Sequence, residues 1–289
     1  MKSNRGRRPR YKAPSGGHGS HFKISMGNTD FIADIVLDTF KTPSAFGIIN
    51  IKIHSKEYYC YIVKKFITKL LSITSIAVDH NITTAYPVNM KIANYKAKIK
   101  HITEWKNSIE AWITVQISEV GLTFFALDYY KNLYRTGKYC NIAISAFAYL
   151  LRPATNNVIA ARGGKRYSTN VMCALLPYSI LNKNAFPDEY WFRGQIIDII
   201  EDDKIKLFKP KNKLFKIKVA IVSGNPLEIW VYALKDAIDG EFNIGDYISG
   251  IIWIQGFLNE INSTGVDAYI TDAEKFSVFL NEMYTNRNK

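Results

Sequence analysis

Apolar and polar residues alternate along much of this chain, the period of a strand with one buried and one wet face. Ile49, Ile51 and Ile53 alternate with polar neighbours in the first third. Ala111-Trp112-Ile113-Thr114-Val115-Gln116-Ile117 and Phe215-Lys216-Ile217-Lys218-Val219 repeat the pattern later. Gly250-Ile251-Ile252-Trp253-Ile254-Gln255-Gly256 is nearly continuous in apolar residues. That run predicts a strand buried on both sides, with Trp253 in the core. One stretch has another period. Over residues 56–72, Tyr58, Tyr61, Ile62, Phe66 and Leu70 recur at spacings of three and four, which predicts a helix. Lys64, Lys65 and Lys69 fall among them, either as a solvated face or as a contact to lipid or to a nucleic-acid backbone.

The order of these patterns recurs. The stretch from Gly137-Lys138-Tyr139-Cys140 to Tyr149-Leu150 can be laid without a gap on Gly245-Asp246-Tyr247-Ile248 to Phe257-Leu258, at an offset of 108 residues. Upstream of each lies an opening strand, Tyr95–Ile99 or Phe192–Ile196, then one of the alternating strands. A third strand follows, Thr123–Leu127 or Glu228–Tyr232. A repeated supersecondary unit is the direct reading.

Four or five short strands per unit, with Gly194 in a first strand and Gly137 or Gly245 opening a late one, resemble the OB-fold over residues 91–152 and 188–260. This fold is a five-stranded, partly open barrel. Gly194 would permit the bend that such a barrel needs in its first strand. The predicted fold class is mainly β with some α: two tandem OB-like small β-barrels preceded by an α/β segment and a disordered basic arm. The arm is residues 1–27, where Gly, Ser, Pro and Arg offer little apolar surface to offset the entropy of ordering. The α/β segment is 28–90, the first barrel 91–160, a basic glycine-containing linker 161–187, and the second barrel with a C-terminal helix 188–289. The resemblance is to single-stranded-nucleic-acid-binding proteins of the replication protein A or bacterial single-strand-binding type. It implies binding without chemistry, low sequence specificity and strong salt dependence.

Charge supports a polyanionic partner. The chain has 38 Lys and Arg against 25 Asp and Glu, a formal net charge of +13. The arm contains no acid, and Arg5, Arg7, Arg8 and Arg10 are candidates to clamp phosphates, or else a solvated tail. Arg162, Lys165 and Arg166 flank Gly163-Gly164, where bare backbone N–H groups could meet a phosphate, unless this is a plain linker. Strand alternation puts Trp112 on a face with Thr114 and Gln116, and puts Trp230 and Tyr232 on the face of Lys216 and Lys218. Aromatics for stacking and lysines for phosphates are what a single strand requires. The competing reading is that the N-terminal segment or the other barrel covers these rings.

No catalytic residue, metal ligand or cofactor is predicted. None of the five histidines lies in HExxH, no GxxxxGK[ST] loop occurs, and Cys60, Cys140 and Cys173 form no CxxC pair. Glu201-Asp202-Asp203 reads as a solvated turn. Unpaired cysteines suit a reducing, cytoplasmic compartment, and no apolar run reaches membrane-spanning length. The expected function is non-enzymatic binding of single-stranded DNA or RNA. The alternative is a protein–protein adaptor or inhibitor with an acidic partner, and a third reading is a peripheral membrane protein.

Overall fold

The computed structural model describes residues 18–26, 32–79, 81–131, 133–155, 158–160, 166–168, 173–202, 212–222 and 224–259. Two helices, α1 (Gly19–Met26) and α2 (Ile32–Lys41), lead into four antiparallel strands. These are β1 (Ala45–Ile53), β2 (Lys56–Phe66), β3 (Leu71–Val78) and β4 (Asn81–Asn89), paired in that order.

Two sequence expectations fail here. The helix predicted over 56–72 is β2 and the start of β3. Cys60, Tyr61, Ile62 and Val63 are buried in succession because α2 lies on one face of the sheet and the rest of the protein on the other. Cover on both faces erases the alternation of two, and chance spacings of three and four remain. The turn into β2 uses His54 and Ser55, with φ of 47° and 71°, as a tight hairpin turn requires. The second failure is at the end of the expected arm, whose residues 1–17 lie outside the described residues. Residues 19–26 are helical, with Phe22 and Met26 buried between the small sheet and the remainder of the chain. Arg5, Arg7, Arg8 and Arg10 lie outside the described residues.

The remaining strands are β5 (Ala93–Glu104), β6 (Ala111–Ile117), β7 (Val120–Ala126), β8 (Tyr139–Pro153), β9 (Val158–Ala160), β10 (Arg166–Ser168), β11 (Ala174–Pro177), β12 (Glu189–Glu201), β13 (Lys213–Val222), β14 (Asn225–Ala233) and β15 (Tyr247–Leu258). β9 and β10 form a separate ribbon; the other nine form one sheet. The protein is mainly β, as expected. The expected C-terminal helix lies outside the described residues.

The registers carry the repeat residue by residue. In the first unit, β5–β8, Lys98 pairs with Gln116 on one side and Tyr139 on the other. In the second, β12–β15, Gln195 pairs likewise with Lys218 and Tyr247. A bulge falls between Ile99 and His101 and again between Ile196 and Asp198. Gly137 and Gly245 occupy equivalent turns, with φ of 85° and 96°. Their N–H groups donate to Ile99 O at 2.8 Å and Ile196 O at 2.9 Å. Gly194 acts by close approach: a Cβ there would meet Lys218 O at 2.5 Å, beside the point where β12 passes from β15 to β13.

The two units are interlocked. β8 and β15 pair antiparallel along most of their length, with the equivalent residues Ala146 and Ile254 opposite each other, so a local two-fold passes between them. β7 pairs parallel with β15, and β14 pairs parallel with β8. One circuit of pairings therefore runs β5-β6-β7-β15-β8 and back to β5; the other runs β12-β13-β14-β8-β15 and back to β12. Each unit's fourth strand serves both circuits.

Two cores result. One lies inside the circuits and contains Ile113, Phe124, Ile144, Phe192, Ile217 and Ile229. The other joins the outer face of the large sheet to the N-terminal layer, through Phe22, Phe40, Tyr86, Phe125, Phe147 and Trp253.

Candidate nucleic-acid interface

Alternation puts Trp230 and Tyr232 on the side of β14 away from the inner core, as expected, but that side is covered. Tyr232 is fully buried. Its hydroxyl donates to Asp202 Oδ2 at 2.8 Å and accepts from Asn212 Nδ2 at 3.0 Å, while Thr68 Oγ1 donates to the same carboxylate oxygen at 2.8 Å. Burial pushes its phenol above the ordinary range. Trp112 is buried too, edge-on to Trp105 with centroids 5.2 Å apart. Trp230 is half-buried, with Lys216 Nζ 6.0 Å from its ring centroid. Lys216 is also paired with Glu228 at 2.6 Å, and Lys218 is half-buried opposite Gln195 and Glu228. Of the rings expected to face solvent, Trp112 and Tyr232 thus lie in an internal seam, and Trp230 stands half-buried at its edge. Apolar rings left on an outer face gain most by burial, and the N-terminal layer supplies the cover.

Polar anchors fix that cover. Asn89, at the end of β4, donates from Nδ2 to the carbonyls of Ala146 and Trp230, each at 3.1 Å. Its own N–H donates to Gln255 Oε1 at 2.9 Å, and Gln255 Nε2 donates to Pro87 O at 3.0 Å. At the start of α1, the Nδ1 atoms of His18, which precedes the helix, and His21 are 2.8 Å apart, and His18 Nε2 meets Glu110 Oε1 at 2.6 Å. Thr84 and Asn107 also donate to Glu110. His21 stacks on Trp253 at 3.7 Å, and Trp253 Nε1 donates to Asp188 Oδ2 at 2.8 Å. Burial, then the neighbouring His18, holds His21 well below its usual range; burial raises the Asp188 carboxyl to about 7. These groups fasten α1 into the seam. Among the described residues no cluster of His, Cys, Asp and Glu is arranged to hold a metal.

Solvent meets a different basic surface. Lys96, Lys98 and Lys100 lie on β5, the last in the bulge, followed by His101. Tyr139, across from Lys98, is 63% exposed, more than any other aromatic among the described residues. Lys98 Nζ lies 5.3 Å from its ring centroid. Arg135 and Lys138 are exposed in the turn before β8, and Gln116 is half-buried beside Lys98. No acid occurs in β5 before Glu104, which is engaged by Ser108 and Tyr129. The sequence signal for this patch is a lysine at every second position of an opening strand, Lys96, Lys98 and Lys100. Two clefts, of about 630 and 310 Å³, lie elsewhere and share no lining residue with it.

Arg166 is exposed on β10; Arg162 and Lys165 lie outside the described residues. Among the described residues no helix is long and apolar enough to cross a membrane. Comparison with protein-family models, curated proteins and solved structures returns no match to the chain.

Proposed function

We propose that this protein binds single-stranded nucleic acid without catalysing a reaction, through Lys96, Lys98, Lys100 and Tyr139 and not through the covered face of Trp112 and Tyr232. Each pairing circuit is read as an OB-like unit whose fifth strand is lent by the other unit. What supports this is the parallel pairing of a third strand with a fifth member, itself antiparallel to the fourth, in both circuits. The observation that carries the binding site is the exposed Tyr139 ring with Lys98 across the ladder and no acid along β5 until Glu104.

A base can stack on the open ring while the lysine row follows the phosphates. Stacking on one aromatic contributes about 1–3 kcal/mol per base and tolerates any sequence, because every base has a π-face. The lysines contribute through counterion release, which makes affinity fall with salt. The covering of Trp112 and Tyr232 on strands two and three favours the ladder of strands one and four as the contact.

Fluorescence anisotropy with labelled oligothymidylate and with duplex, over a range of salt, tests this. Tyr139→Ala should weaken single-strand binding by about 1–3 kcal/mol with little change in salt slope. Lys98→Ala should flatten the log K against log salt plot by about 0.7, the contribution of one phosphate contact on a single strand. Absence of salt-sensitive binding would remove this reading and leave the basic patch to an acidic protein.

A further inference from the structure

The local two-fold gives the Tyr139 patch a counterpart. Tyr247 opens β15 as Tyr139 opens β8, and it pairs with Gln195 as Tyr139 pairs with Lys98. Its ring also meets a cation: Arg193 Cζ lies 5.7 Å from the centroid. Lys218 stands on the far side of Gln195, where the first unit has Gln116. Tyr247 and Lys218 are both partly exposed. Alternation along the β8–β15 ribbon places the two tyrosines on the same side as Phe147 and Trp253, which are fully buried beneath the N-terminal layer. The ring–cation pairs therefore lie at opposite ends of one ribbon face whose middle is sealed.

We infer that the chain carries a second, two-fold-related half-site for single-stranded nucleic acid at Tyr247, Arg193 and Lys218, separate from the first. This rests on the reading proposed above. β8 has 15 residues, and at about 3.3 Å per residue it spans about 50 Å if straight. Tyr247 lies just beyond its far end, where its carbonyl accepts from Ala154 N–H at 2.9 Å. A short strand held at one tyrosine thus leaves the other open. The second half-site is the weaker, because Arg193 is largely buried and donates to Thr155 O at 2.9 Å, leaving less of its charge for a phosphate.

The experiment is a titration of the full chain with hexathymidylate, a length within the range one such site accommodates, about 4–16 nucleotides. Isothermal calorimetry reads the stoichiometry at low salt. Two oligonucleotides per chain are expected, with unequal affinities. Tyr139→Ala should weaken the tighter class by about five- to 150-fold and spare the weaker; Tyr247→Ala should do the reverse. Tyr247→Phe, which keeps the ring, should retain both, and thermal melting checks that each variant folds. One site per chain, lost in Tyr139→Ala and unchanged in Tyr247→Ala, would overturn the second half-site while leaving the proposed function standing. No binding of any oligonucleotide by the folded wild type would overturn both.

Discussion

The two repeat units have the same registers and bulges but different outer faces. Where the first unit has Lys96, Lys98 and His101 along its opening strand, the second has Arg193, Gln195 and Asp198. Where the first has Thr114 and Gln116 on its second strand, the second has Lys216 and Lys218, with Glu228 opposite in place of Gly121. The first unit's exposed cations sit on strand one; in the second unit Arg193 on strand one is largely buried, and the lysines sit on strand two, where Lys216 is paired with Glu228. Backbone pairing is set by the inward-facing apolar residues, which both units keep; the outward positions are free to diverge. The symmetry therefore belongs to the fold, and a shared fold does not imply equal binding.

The covered ends differ as well, and the largest expected effect lies there. Phe125 and Tyr232 are equivalent and both fully buried, but only the second carries a hydroxyl, bonded to Asp202. Phe125→Ala should cost about 3–5 kcal/mol of unfolding free energy, measured by urea titration, through lost contacts and a cavity. Tyr232→Phe should cost about 1–3 kcal/mol, because Asp202 loses a donor in a buried place. A Tyr232→Phe variant as stable as the wild type would show that the hydroxyl network adds nothing to the second unit's anchorage.

These positions also mark how far the sequence could be read. The alternation of Phe215–Val219 and the offset joining Gly137 to Gly245 found the repeat and the side on which each residue stands. They could not say what covers a wet face: Trp112 and Tyr232 stand where alternation puts them and are sealed by residues far away in sequence. The same cause hid β2. Nor does any local pattern specify that β7 takes its parallel neighbour from the other unit, since that pairing is set by packing between distant segments. The Lys96–Lys100 row was visible as a strand, but its exposure depends on where the N-terminal layer ends.

The seam should respond to pH in two opposing ways. His21 is held neutral in the fold, below its unfolded value of 6.5, so below about pH 6.5 the unfolded chain takes up a proton that the fold resists. Stability from this group falls as pH drops. Asp188 is raised from 3.8 to about 7, so its contribution is full below about pH 3.8 and is lost as pH rises through 7. Urea titrations between pH 4 and 8 separate the two. His21→Phe keeps a ring on Trp253 and should become more stable relative to wild type as pH falls from 7 to 5. Asp188→Asn should gain relative to wild type as pH rises through the same interval. Parallel curves for His21→Phe and wild type would mean that His21 is not held neutral.

The smallest expected effect tests the contrast between the faces most directly. Gln195 occupies the place that Lys98 holds in the first unit, and its Nε2 donates to Gly245 O at 3.1 Å, one exposed hydrogen bond. Gln195→Lys gives the second unit the first unit's cation, opposite Tyr247. The melting temperature should hardly move, since surface substitutions away from special features stay within about 0.5 kcal/mol. Hexathymidylate binding at the weaker site should gain a salt slope of about 0.7, from one additional phosphate contact. The tighter site should keep its slope, because the two tyrosines stand at opposite ends of the β8–β15 ribbon. A steeper slope at the tighter site, with none gained at the weaker, would mean that the faces are not separated as the pairing implies. A gain confined to the weaker site would show that the units differ in binding because of their outward charges and not because of their backbones.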